Sequence, residues 1–106
     1  MVPQASLAHV FAALGDPTRL KLVAVLCAGG AFSIAQLTTN TDLSRQGVTK
    51  HLQVLAAAGV IDGSRQGREQ VWTLNPKRLA EGRRHLDTIA VGWDEALERF
   101  KKLVEE

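Results

Sequence analysis

Ser44-Arg45-Gln46-Gly47-Val48-Thr49-Lys50-His51-Leu52-Gln53-Val54-Leu55-Ala56-Ala57-Ala58-Gly59 is the stretch on which the fold turns. A serine able to cap, a proline-free run and a closing glycine read as one helix over 44–58. On a helical wheel Leu52 and Leu55 fall within about 40° of Val48 and form the buried stripe, while Gln46, Thr49, Lys50 and Gln53 gather on the opposite side. No apolar side chain stands on that outward face. Amides, a hydroxyl and an ammonium are the groups that read base edges and neutralise phosphates, and Ser44 and Arg45 stand at the helix N-terminus, where backbone N–H groups favour an anion. His51 sits at the edge of the stripe, about 60° off it, as either a packed boundary residue or a contact to the DNA backbone.

Immediately downstream the period changes. Residues 60–74 carry two strand-like runs flanking Gln66-Gly67-Arg68, which reads as a β-hairpin whose tip glycine supplies a positive φ. Upstream, Ser33 caps a short helix from Ile34 to about Thr39, and a polar turn joins it to the helix at Ser44. Two helices across a short turn followed by a hairpin make a helix-turn-helix with a wing. Arg65 and Arg68 flank the hairpin tip, where such a wing would approach the backbone or minor groove.

The remaining segments are helical. Residues 6–14 repeat Leu7, Val10, Phe11 and Leu14 at helical spacing and end at Gly15. Asp16-Pro17 opens a second helix whose apolar face is expected to be Leu20, Val23, Ala24 and Cys27, closed by Gly29-Gly30, with Cys27 toward the core. From Pro76 a last helix runs almost to the C-terminus, about 45 Å at 1.5 Å per residue, longer than a domain of this size is wide. Leu79, Leu86, Ile89, Ala90, Trp93, Leu97, Phe100 and Val104 form one apolar stripe along it. A single core covers only part of such a stripe. Residues 6–14 and 76–104 are therefore expected to build a twofold homodimer, through Leu7, Val10, Phe11, Leu86, Ile89, Trp93, Leu97 and Phe100. The fold class is mainly α with a two-stranded β-wing: a winged helix-turn-helix of five helices in the order ααααββα, filling residues 1–106 as one domain.

Composition narrows the function. The chain has 106 residues, 45% hydrophobic and 23% charged, with a net charge of only +2. Between Ser44 and Arg68, however, Arg45, Lys50, Arg65 and Arg68 face one acid, Asp62, so charge concentrates on the helix and wing that would touch DNA. Cys27 is the only cysteine, which excludes an intrachain disulfide and a Cys-rich zinc site. His9, His51 and His85 are scattered, so no metal site and no cofactor is expected. Asp94-Glu95 and Glu105-Glu106 are sequence neighbours on a helix, about 100° apart, and do not converge as an acid–base pair, so an enzyme is not expected. No apolar run is long enough for a bilayer, and the start lacks the pattern of an export signal; a cytoplasmic protein without a membrane partner is expected.

Three segments together resemble the ArsR-type family of winged helix-turn-helix repressors. They are Leu14-Gly15-Asp16-Pro17-Thr18-Arg19-Leu20, then Ser44 to Leu52 with Leu55 and Ala58-Gly59, then Gly67-Arg68 to Trp72-Thr73-Leu74, within a match spanning roughly residues 6 to 104. The resemblance implies a homodimeric, sequence-specific DNA-binding regulator that represses its own operon from a palindromic operator. Where arsenic and cadmium sensors of the family carry paired cysteines, this chain has Ala35-Gln36-Leu37-Thr38-Thr39. His85 and Asp87 lie on the last helix without the further ligands of the zinc and nickel sensors. A metal sensor of the usual kind is therefore not expected, and no residue pattern names an inducer. The alternatives are a metal- or ligand-responsive sensor with a site shared between subunits, and a dimeric interaction module that does not bind DNA.

Overall fold

Each helix starts where a side chain can satisfy its free N–H groups. In the computed structural model, which describes residues 6–39 and 41–105, Ser6 accepts from His9 N ahead of α1 (Leu7–Leu14), and Asp16 from Arg19 N at 3.0 Å ahead of α2 (Pro17–Gly29). Ser33 and Gln36 form a reciprocal capping box on α3 (Ile34–Thr38), and Ser44 Oγ accepts from Gly47 N at 3.1 Å on α4 (Arg45–Ala57). Asn75 Oδ1 accepts from Arg78 N at 3.1 Å at the start of α5 (Pro76–Glu105). At Gly59 the chain turns with φ +81°, the left-handed conformation that ends α4 and that side-chain-bearing residues avoid.

The sheet has three strands rather than the two read from the sequence. β1 (Phe32–Ser33) joins β2 (Ile61–Gln66) and β3 (Glu69–Leu74) in the antiparallel order β1-β3-β2. Phe32 pairs with Trp72 and Ser33 with Val71, while the hairpin runs in register from Ile61–Leu74 to Gln66–Glu69. A two-residue strand is too short to carry an alternation signal, so only its partner reveals it.

Val10, Leu22, Leu26, Leu37, Val48, Leu52, Leu55, Val60 and Ile61 are almost wholly buried in one core drawn from α1 to α4 and the start of β2. Two expectations are corrected there. Val10 has no exposed surface left for a partner, so it is a core residue of its own protomer and not an interface residue. The buried face of α2 is Leu22, Val23 and Leu26, while Leu20 is 55% exposed and Ala24 and Cys27 are exposed. Apart from Lys21, α2 is apolar nearly all round after Arg19, and periodicity alone cannot choose its inward side. Arg19 chooses it. The arginine lies on the same side as Leu22 and Leu26, and its guanidinium caps α1: Nε donates to Ala13 O at 2.6 Å and Nη2 to Ala12 O at 3.5 Å.

The long helix leaves the body. Leu79 packs on the core and Gly82 is buried, but residues 86–95 and 97–105 are exposed. The radius of gyration is 18.0 Å, against about 13 Å for a compact chain of this length.

Candidate nucleic-acid interface

α4 is pinned from beneath by Val48, Leu52 and Leu55, each fully buried. That burial fixes which side faces out, because residues on the opposite side of a 3.6-residue period must then be exposed. Arg45, Gln46, Lys50 and Gln53 are exposed on this outer side. Thr49 is half-buried and its hydroxyl donates to Arg45 O at 2.8 Å, which leaves the oxygen free to accept. Ser44 is exposed; its Oγ accepts the Gly47 N–H as a cap, and the hydroxyl proton remains available to a phosphate oxygen.

The wing completes the surface. Gln66 and Glu69 close the hairpin around Gly67-Arg68, and Gly67 takes φ +64°, the positive value a two-residue loop needs to match strand twist. Arg65 and Arg68 are exposed at this tip. Folding brings them to Arg45: all three arginines line one cleft of about 210 Å³ between the wing and the N-terminal ends of α3 and α4, with Glu69 and Gln70 also on its wall. Three arginines against one glutamate on its wall give this open groove a net positive charge, which favours an anionic over an apolar ligand.

His51, read from the sequence as either a packed boundary residue or a contact to the DNA backbone, is held from the side of α2. Its Nδ1 lies 3.3 Å from Arg19 Nη1 and 3.9 Å from Asp16 Oδ2, with the side chain about one-quarter exposed. The α2 N-terminus therefore holds the imidazole. Asp16 and Arg19 are structural ties that wheel reasoning missed, although both stand in the Leu14–Leu20 segment that carried the family resemblance. Together they tie the end of α1, the start of α2 and the middle of α4. The hydrogen bond from Arg19 N, with smaller help from the Arg19 and His51 charges, holds the Asp16 carboxyl below its ordinary value of 3.8.

Of the other expected interface residues, Leu7 is partly buried against the core, and Phe11 lies between α1 and α5 with its ring 6.2 Å from that of His85. Leu86, Ile89, Trp93, Leu97 and Phe100 are all substantially exposed. Among the described residues no group of three or more His, Cys, Asp or Glu side chains could hold a metal ion, and no helix is long and apolar enough to cross a membrane.

Comparison with known proteins agrees with this geometry. Residues 14–63 match the model of a helix-turn-helix domain. The HTH-type transcriptional regulator Rv2034 of Mycobacterium tuberculosis is 33% identical over 93 residues, covering 88% of this chain and 83% of that protein. The solved ArsR-like transcriptional regulator from Rhodococcus sp. RHA1 superposes with a TM-score of 0.80 at 35% identity, over 92% of this chain and 91% of its own. The chain belongs to the ArsR-type family of winged helix-turn-helix regulators. This ArsR-type regulator is also similar to the transcriptional repressor SdpR of Bacillus subtilis, 33% identical over 73 residues, 69% of this chain and 80% of the relative. It is thus a transcriptional regulator of a family that binds double-stranded DNA, not an enzyme.

Proposed function

We propose that the protein is a homodimeric repressor that places Gln46, Thr49, Lys50 and Gln53 of each protomer in a major groove. Arg45, Arg65, Arg68 and the Ser44 hydroxyl then grip the flanking backbone or minor groove. The observation that carries this reading is the cleft of arginines beside a polar, outward helix face whose opposite side is locked in the core. Two such readers, related by a twofold axis near α5, would engage half-sites about one helical turn, roughly 34 Å, apart. Repression follows if the operator overlaps a promoter, and similarity to a named repressor supports that sign of regulation.

The natural first operator is the fragment upstream of the protein's own gene. A mobility-shift assay there at low salt should give one retarded band that unrelated DNA of equal length competes away only weakly. Equal competition by any DNA refutes sequence-specific reading, and no shift at all favours an interaction module. No metal is part of the proposal. The only thiol, Cys27, is exposed on α2, on a side that bears no other side chain of the metal-binding kind.

A further inference from the structure

Among the described residues only two lysines or arginines are partly buried, Arg19 and Arg78; the others are exposed. Arg78 is neutralised by Glu81, whose Oε2 lies 2.7 Å from its Nη1. Arg19 has no such partner: among the described residues no carboxylate forms an ion pair with its guanidinium. Asp16 is near enough to feel the charge, but its Oδ2 accepts from the Arg19 backbone N–H and lies 3.9 Å from His51 Nδ1. The guanidinium gives one N–H each to Ala13 O, Ala12 O and His51 Nδ1. A guanidinium has five, so one N–H on each terminal nitrogen is left over.

Beside it, α1 and α4 leave an open groove of about 300 Å³, lined by Arg19, His9, Ala12, Val54, Ala57 and Ala58. Its α4 wall is wholly apolar, and Val54 stays 42% exposed there. The groove is separate from the arginine cleft of the wing. It also avoids the expected subunit contact, because His9 and Ala12 stand at least about 100° round α1 from Leu7 and Phe11.

We propose that this groove binds a small monocarboxylate with an apolar body, its carboxylate on the two remaining N–H groups of Arg19 and its body along Ala12, Val54 and Ala57. Charge complementarity selects that occupant. A partly buried cation without a counter-ion favours an anion, and the planar fork of a guanidinium fits the two oxygens of a carboxylate. Apolar walls disfavour an inorganic ion, which would give up its water there for few contacts. The volume stands at the small end of the range for small-molecule sites, about 300–1,000 Å³, so the body is a ring or chain of up to about eight carbons.

Val54 and Ala57 belong to the helix that carries the reading face, and Arg19 meets His51 on the same helix. An anion in the groove draws the guanidinium away from His51 Nδ1 and from Ala12 O, whose bond is already long at 3.5 Å. Occupancy therefore loosens the hold on α4 and lowers operator affinity. That last step rests on the DNA-binding reading above; the site itself does not.

Isothermal titration calorimetry of the full chain with octanoate tests the site. The dissociation constant should be at or below about 1 mM, the scale for a ligand of about ten non-hydrogen atoms. Octan-1-ol and octylamine should bind at least about tenfold more weakly, and Arg19→Gln should lose a similar factor for octanoate. Because Arg19→Gln also loosens the fold, two variants on the exposed wall complete the test. Ala57→Leu fills the groove and Val54→Asp sets a carboxylate on its wall; each should abolish the heat of binding while keeping the wild-type melting temperature. Octan-1-ol binding as tightly as octanoate, or undiminished binding by Ala57→Leu, overturns the carboxylate site. Absence of binding overturns it too, and if Ala57→Leu then alters sedimentation, the groove is a contact between copies instead. In fluorescence anisotropy on the upstream fragment, saturating octanoate should weaken wild-type binding about fivefold or more against an equal concentration of sodium acetate. Ala57→Leu, with wild-type affinity in the absence of ligand, should not respond. Octanoate that binds without changing operator affinity overturns the coupling and keeps the site. A chain that binds octanoate but no DNA overturns the DNA reading and not the site.

Discussion

Arg68→Ala separates a backbone grip from a merely charged turn through its salt dependence. Arg45, Lys50, Arg65 and Arg68 are exposed on α4 and the wing, and in the proposed dimer they would present eight cations to the phosphates. If each neutralises one phosphate, the logarithm of affinity falls with the logarithm of salt at a slope of about −7, and a rise from 50 to 200 mM costs roughly four orders of magnitude. Arg68→Ala removes two contacts per dimer, which should flatten the slope by nearly two units and shrink that salt penalty by about tenfold. Fluorescence anisotropy of a labelled upstream fragment, titrated at four or five salt concentrations, reads this directly. Lys50→Ala should behave alike, whereas Arg84→Ala, an exposed base on α5, should leave the slope unchanged. Gln46→Ala should also keep the slope, yet lose about 1–3 kcal/mol on sites bearing its cognate base. Wild-type slopes for both Arg68→Ala and Lys50→Ala would show that α4 and the wing do not hold the DNA.

Two more expectations concern the hinge of polar groups behind α4. Arg19→Ala removes the bonds to Ala13 O and Ala12 O and the contact to His51, so urea unfolding should show a loss of about 2–3 kcal/mol, the scale for charged hydrogen bonds in partly buried sites; an unchanged midpoint would mean that the bridge does not hold α1 and α4 in place. Asp16 has a folded pKa below 3.8, so its ionised form stabilises the fold above that value and the benefit drains away as pH falls through the depressed pKa. Thermal melts of wild type and Asp16→Ala should therefore differ most near about pH 7 and converge in strong acid; a gap independent of pH would refute the assignment.

Local signals read well in this chain because they act over a few residues. Asp16, Ser33 and Ser44 stand where α2, α3 and α4 begin, the glycine at 59 stands where α4 ends, and the Gly67 tip closes the wing. Each is a side chain bonding to a backbone group close by, or a glycine taking a φ that other residues avoid. The polar face of α4 was equally legible, since Val48, Leu52 and Leu55 leave only one inward side.

What the sequence alone left undecided depends on contacts between distant segments. α2 offers two apolar faces of similar quality, and the choice fell to an arginine whose partners lie on α1 and α4. His51 reads as either a packed boundary residue or a backbone contact, and only the fold brings it beside Asp16 and Arg19. Val10 carries the same periodic signal as Leu7 and Phe11, yet it alone of the three is wholly buried, because the rotation of α1 against α4 and α5 is a packing outcome. Arg45 and the wing arginines lie about twenty residues apart in the chain, and only the docking of the hairpin beside α3 and α4 places them in one cleft. Element type, boundaries and the reading face of α4 thus follow from short-range hydrogen bonding and the 3.6-residue period. The rotation of each helix about its axis, and where the free seam of α5 begins, follow from which buried surfaces and carbonyls lie opposite, which the chain settles only when it closes on itself.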